Sequence, residues 1–231
     1  MKAIILVGGQ ATRLRPLTLT IPKALILLHG KPVAEHVLDL FKKYGITEIV
    51  FSVGYLKEKI IEHFGDGKKF GFEISYIEED EPLGTAGPLR LLRQQPRETF
   101  IVCNGDELKE IDIDAMHQFH QQHGGLVTLA LRPVDDPSAY GVARMAGDQI
   151  QEFVEKPKRE EAPSNLINAG FYMMEPAVID LIPEGKAMFE YDIFPQLARR
   201  GKLYGFKFSG QWFDTGNLER LETAEREWRD L

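Results

Sequence analysis

Cysteine is almost missing. Cys103 is the single one in 231 residues, so no disulfide can close within the chain, and its place in the apolar, strand-like run 99–103 reads as burial. A reducing compartment is the expectation. No apolar run approaches the roughly 20 residues that a membrane-spanning helix needs. Residues 1–7 carry one lysine and a five-residue apolar stretch, shorter than the core of a secretory signal. Those two lacks predict a cytoplasmic protein with no membrane partner. Positive charge is not in excess either: 28 Lys and Arg stand against 35 Asp and Glu, a net of −7. That balance argues against a nucleic-acid partner held by general attraction and leaves room for a locally basic site. Repeats, low-complexity tracts and linkers are lacking, so one domain is expected over 1–231. Two common nucleotide signatures are also missing, the G-x-G-x-x-G of dinucleotide folds and the glycine-rich loop ending in G-K-S or G-K-T.

What is present alternates strand and helix. The apolar run 3–7 fits a buried parallel strand. Residues 32–44 place apolar side chains at 33, 37, 40, 41 and 44, a helical stripe opened by Pro32 and stopped by Gly45. Strand 48–53, helix 57–64 ended by Gly65 and strand 72–77 follow. This β-α-β-α-β order predicts an α/β fold, a Rossmann-like mixed and mostly parallel sheet flanked by helices, with ligands at the carboxyl ends of the strands. Further on, a helix is expected from Thr85 to about Gln94, with Thr85 as its N-cap, and another over 112–123. Strand-like runs then dominate at 126–131, 142–145, 149–154 and 166–174. A helix at 192–200, a strand at 203–208 and a closing amphipathic helix from Asn217, with Leu218, Leu221 and Trp228 among many charges, complete the chain.

The stretch 6–23, LVGGQATRLRPLTLTIPK, is the chemical centre of the sequence. A strand delivers Gly8 and Gly9, which lack a Cβ and let main-chain N–H groups approach a phosphate chain. Arg13, Arg15 and Lys23 supply cations suited to phosphate oxygens. Strand 99–103 ends in Asn104-Gly105-Asp106, which places a carboxylate where Mg²⁺ could be held against nucleotide phosphates. Glu107 beside it carries no assignment. Asp214, in W-F-D-T-G, is a second carboxylate of the same kind. His117, His120 and His123 share one helix but lack a carboxylate or cysteine in register, so they read as a partly solvated helix face rather than a zinc site.

In chain order, GG-x-x-T-R-L-R-P-L-T with a following P-K, then P-L-G-T-A-G, G-D, F-V-E-K-P, N-A-G and W-x-D-x-G resemble the motifs of the sugar-1-phosphate nucleotidyltransferases, also called nucleoside-diphosphate-sugar pyrophosphorylases, over nearly the whole chain. One departure is Ala11, where the family usually has glycine. The resemblance implies that Leu6, Gly8, Gly9, Ala11 and Thr12 bind the nucleotide, that Arg13 holds the departing β,γ-phosphates and that Lys23 holds the α-phosphate. It implies that Glu79, Pro82, Gly84 and Thr85 lie on the base side, and that Gly141, Glu155, Lys156 and Asn168 bind the sugar phosphate. It also implies Mg²⁺ on Asp106 and Asp214. P-L-G-T-A-G is most like the guanylyl-transferring branch, so GTP and mannose-1-phosphate are favoured. Glu79 stands three residues before Pro82, where thymidylyl relatives place a base-reading Gln.

The activity implied is transfer of a nucleotidyl group from a nucleoside triphosphate to a sugar-1-phosphate with release of pyrophosphate. The same chemistry with glucose- or heptose-1-phosphate and UTP or dTTP stays open, as does a non-catalytic regulator that binds a nucleoside-diphosphate sugar. Longer relatives carry a C-terminal β-helix; this sequence stops without one and is expected to be a catalytic domain alone. Assembly into a homo-oligomer is left open.

Overall fold

Strand β1 (Lys2–Leu6) forms because Ala3, Ile4 and Ile5 are apolar on both faces, as a strand covered from both sides requires, and all three are fully buried. The computed structural model describes residues 1–231. After β1 come β2 (Leu27–Leu28), β3 (Lys31–Pro32), α1 (Val33–Lys43), β4 (Glu48–Val53), α2 (Lys57–Phe64), β5 (Glu73–Glu78), β6 (Phe100–Asn104) and β7 (Glu107–Lys109). The order continues with α3 (Ile113–His123), β8 (Val127–Pro133), β9 (Gly141–Ala146), β10 (Gln149–Glu155), β11 (Leu166–Met174), α4 (Phe194–Arg199), β12 (Leu203–Lys207), β13 (Trp212–Asp214) and α5 (Leu218–Glu227). The chain divides into two compact units: the first holds 1–82, 103–111 and 210–231, the second 83–102 and 112–209.

In the first unit β1 pairs in parallel with β4, and β4 with β5. The stripe expected on 32–44 is α1, which buries Val33, Ala34, Val37, Leu38, Leu40 and Phe41 and ends at Tyr44 before Gly45 at φ +66°. Helix α5 begins at Asn217, whose side chain accepts from Arg220 N at 2.9 Å. Its Ala224, with Trp228 just after the helix, packs against Leu28, Val33 and Leu108, with Phe213 and Leu221 beside them. Leu218, the first residue of the helix, is 44% exposed and lies outside that cluster.

The second unit pairs β8 antiparallel with β11, β9 with β10, and β10 with β12, while β8 and β12 run parallel. Pairing in this unit is therefore mixed, one parallel pair among antiparallel ones. Helix α3 is capped by Asp112, which accepts from Ala115 N at 2.9 Å, and stops at Gly124. Three expectations need correction here. The helix from Thr85 to Gln94 is only a 3₁₀ turn, Gly87–Leu91, since Gly84, Gly87 and Pro88 disfavour an α-helix and Ala86 N and Gly87 N are spent on Ala187 O. The helix at 192–200 is preceded by a π turn, Phe189–Ile193. His120 is not on a solvated face: it is 2% exposed, with Nδ1 2.8 Å from Thr128 Oγ1 and Nε2 3.1 Å from Glu175 Oε1. No helix is long and apolar enough to cross a membrane.

Candidate active site

The end of β1 is tied down before it releases the glycine loop: Val7 N donates to Ser52 O at 2.9 Å, and Gly8 O accepts from Tyr55 N at 3.1 Å. A Cβ on Gly8 would stand 2.8 Å from Glu79 Oε1 and 3.2 Å from Gly54 N, so a side chain here would displace the Glu79 carboxylate and crowd the Gly54 backbone. Ala11 sits at φ +46°, ψ +49°, the left-handed region that favours glycine. It stays there because its carbonyl accepts from Leu14 N and from the hydroxyl of buried Thr18, both at 3.0 Å. Thr12 and Arg13 follow on a 3₁₀ turn with both side chains exposed, as is Arg15.

Lys23 is the opposite kind of cation. It is 8% exposed, and its Nζ donates to Asp106 Oδ2 at 2.6 Å. Asp106 reaches it because Gly105 lies so close to β1 that a Cβ there would meet Val7 Cγ1 at 2.4 Å and Ile5 Cγ2 at 2.7 Å, with Gly105 N donating to Leu6 O. Burial alone would raise the Asp106 carboxyl; the charge and hydrogen bond of Lys23 outweigh it and hold the group below the usual carboxylate range. Leu6, Gly9, Ala11, Arg13, Lys23, Asp106 and Gly216 are among the residues that line one small cleft of about 110 Å³.

Asp214 arrives from the far end of the sequence. Strand β13 pairs antiparallel with β7 so that Asp214 faces Glu107, and Thr215 donates to Asp106 O from Oγ1 at 2.7 Å. The two expected carboxylates are thus brought onto adjoining segments. Asp214 is not among the residues that line the cleft; its carboxylate lies beside Gly216, in an ion pair with Arg220. Glu107, unassigned from sequence, accepts from Asn104 Nδ2 at 2.7 Å and from Trp212 Nε1 at 3.1 Å, so Trp212 donates a hydrogen bond as well as packing. Burial pushes the Glu107 carboxyl up, and the neighbouring Asp106 and Asp214 charges add to it against Lys109.

No three metal-ligating side chains gather into a cage. The donors offered are two carboxylates on adjoining segments, which fits a hard divalent cation that keeps phosphate and water as its other ligands and does not fit zinc. Glu79, on the same unit, is half-buried, with Oε1 accepting from Ser52 Oγ at 2.9 Å; Pro82 is exposed.

The other predicted residues lie in the second unit. Gly84 is at φ +83°, where a Cβ would be 2.4 Å from Ala187 O. Thr85 Oγ1 donates to Glu190 Oε2 at 2.6 Å and accepts from Phe189 N at 2.9 Å, so it fastens the π turn instead of capping a helix of its own. Gly141 faces Glu155 across the β9–β10 pair, and a Cβ on it would meet Glu155 Oε2 at 2.7 Å. Glu155 and Lys156 form an ion pair at 3.0 Å in which the carboxylate is only 7% exposed and the lysine 60%, unlike an ordinary solvated surface pair. Asn168 donates to Tyr172 Oη at 2.9 Å and accepts from Gly170 N at 3.0 Å. Sequence reasoning missed Ser52, Glu190 and Arg220. Glu190 left only a faint trace, one of two acids, with Asp192, among the apolar and aromatic residues of 187–194.

A family model described as nucleotidyl transferase matches residues 2–230. The mannose-1-phosphate guanylyltransferase catalytic subunit beta of Danio rerio is 42% identical over 230 residues, covering 97% of this chain and 63% of its own, so this chain spans a little under two thirds of that relative. Among solved structures, a Bacillus anthracis protein in complex with sucrose is 29% identical with a TM-score of 0.89, covering 98% of this chain and 94% of that one. HddC from Yersinia pseudotuberculosis, complexed with GMP-PN, is 26% identical with a TM-score of 0.81, covering 97% and 98%. With the glycine loop, the buried lysine and the two strand-end carboxylates in one unit, and a family match that runs almost from end to end, the chain belongs to the nucleotidyl transferase family.

Proposed function

We propose that this chain transfers a nucleotidyl group from a nucleoside triphosphate to a sugar-1-phosphate and releases pyrophosphate, with GTP and mannose-1-phosphate as the favoured pair. The observation that carries this reading is the cleft in which buried Lys23, exposed Arg13 and Asp106 converge beside Gly9. It offers charge and close backbone approach for a phosphate chain and no side chain poised as a nucleophile. None is needed, since the anionic sugar phosphate can attack the α-phosphorus in line, and catalysis then consists of positioning and charge neutralisation.

Arg13 is assigned to the β,γ-phosphates, Lys23 to the α-phosphate, and Leu6, Gly8, Gly9, Ala11 and Thr12 to the backbone cradle. Gly84 and Thr85 are assigned to the nucleotide as well. Glu155, Asn168 and Gly141 are assigned to the sugar, and Lys156 to its phosphate. Members of the family generally use a divalent metal; Mg²⁺ is assigned here to Asp106 and Asp214, where it would neutralise and orient phosphate oxygens. Glu79 is assigned to guanine. The guanine edge presents two adjacent donors, N1–H and the exocyclic amine, that match two carboxylate oxygens, whereas uracil and thymine present one donor between two acceptors. The guanylyltransferase relative and the GMP-PN complex support that choice.

Running the reaction backwards tests the assignment. With GDP-mannose, pyrophosphate and Mg²⁺, chromatography should show GTP and mannose-1-phosphate formed in equal amounts. Release of GDP or GMP without GTP would overturn the reading.

A further inference from the structure

The mechanism above leaves Arg220 without a role, although it is bound to one of the two assigned metal ligands. Arg220 stands in the first turn of α5, where Asn217 accepts its backbone N–H at 2.9 Å, and its guanidinium engages Asp214 Oδ2. The side chains are 29% and 12% exposed, so this pair is partly removed from water and is not screened like a surface pair. Asp106 is paired in the same way by Lys23 at 2.6 Å. Arg13 adds a third cation: beside Gly216, one point lies 3.1 Å from Arg13 Nη2 and 2.7 Å from Asp214 Oδ1. Glu107 is matched by Lys109 at 3.8 Å. Four cationic groups, Arg13, Lys23, Lys109 and Arg220, thus stand among three carboxylates, Asp106, Glu107 and Asp214, an excess of positive charge that opposes entry of a lone divalent cation.

We propose that Arg220 is a resident counter-cation of Asp214 that lowers the affinity of the nucleotide-free protein for a divalent cation, so that the cation enters together with the triphosphate, whose negative charge restores the balance. This rests on the reading of Asp214 as a metal ligand. Physically, a carboxylate oxygen already accepting from a guanidinium is a poorer donor to a second cation, and the cation also feels the nearby positive charge through a low-dielectric environment. Arg220 is therefore a positioning residue acting through Asp214.

The test titrates the full chain with Mn²⁺ in the absence of nucleotide and follows free Mn²⁺ by electron paramagnetic resonance. Arg220→Gln keeps a hydrogen-bond donor toward Asp214 while removing the charge, and Arg220→Ala removes both. Each should bind Mn²⁺ about threefold tighter or more, whereas Arg220→Lys should stay within about twofold of the unsubstituted chain. Asp214→Asn should weaken binding, and adding Arg220→Gln to it should then give a smaller gain than the same change gives in the unsubstituted chain. Thermal melting confirms that each variant is folded. If Arg220→Gln binds Mn²⁺ no tighter while Asp214→Asn weakens it, the proposal fails and the metal reading stands. If Asp214→Asn binds Mn²⁺ unchanged, Asp214 is not a ligand and both fall.

Discussion

Ala11 carries a methyl group at φ +46°, and two hydrogen bonds to its carbonyl keep it there. The left-handed conformation costs an L-residue roughly 1–2 kcal/mol, part of which a glycine would return as extra freedom in the unfolded chain. Ala11→Gly is therefore expected to stabilise the protein by about 0.5–1 kcal/mol in urea unfolding; a loss of stability would mean that the strain is not real. Base choice is assigned to Glu79. Glu79→Gln should lower the ratio of GTP to dTTP efficiency by about tenfold or more, because the amide replaces one acceptor with a donor, and an unchanged ratio would remove Glu79 from the base site. At this scale the sequence was informative about residue types and their order. Gly8, Lys23, Asp106 and Asp214 each stand in a local motif. Ser52 and Arg220 do not, since a lone serine in a strand and an arginine on a charged helix look like many others until a distant carboxylate is folded against them.

Among the elements, regular strands and helices with a clear apolar period, such as β1, β4, α1 and α2, were legible almost to the residue. The segment after Gly84 was not. Its Thr85 resembles a helix cap locally, but the hydroxyl is claimed by Glu190, 105 residues away, and the backbone donors go to Ala187. Tertiary partners of that kind leave no local periodicity to read. Glu190 is also a source of pH dependence. Burial raises its carboxyl above the ordinary 4.5 and the Glu155 charge adds to that, while the Thr85 hydrogen bond and Lys156 oppose it. A carboxyl raised in the folded state contributes stability that is complete below the unfolded value and is lost as pH rises through the folded value. Glu190→Gln keeps an acceptor for Thr85 and cannot ionise. The stability of the unsubstituted protein relative to this variant should therefore fall from pH 4.5 upward, and a difference that is flat or grows with pH would contradict the burial argument.

For the molecule as a whole, a net charge of −7 coexists with a cleft that gathers Arg13 and Lys23 around Asp106. An acidic chain that concentrates cations at one strand end suits a small anionic ligand at that end. The central claim is that this ligand is a triphosphate whose nucleotidyl group passes to a sugar phosphate. Pyrophosphate release, followed with four nucleoside triphosphates crossed against mannose-, glucose- and heptose-1-phosphate in Mg²⁺, tests it most directly. Pyrophosphate should appear only when a sugar-1-phosphate is present, fastest with GTP and mannose-1-phosphate; release that ignores the sugar phosphate, or none with any pair, would contradict it.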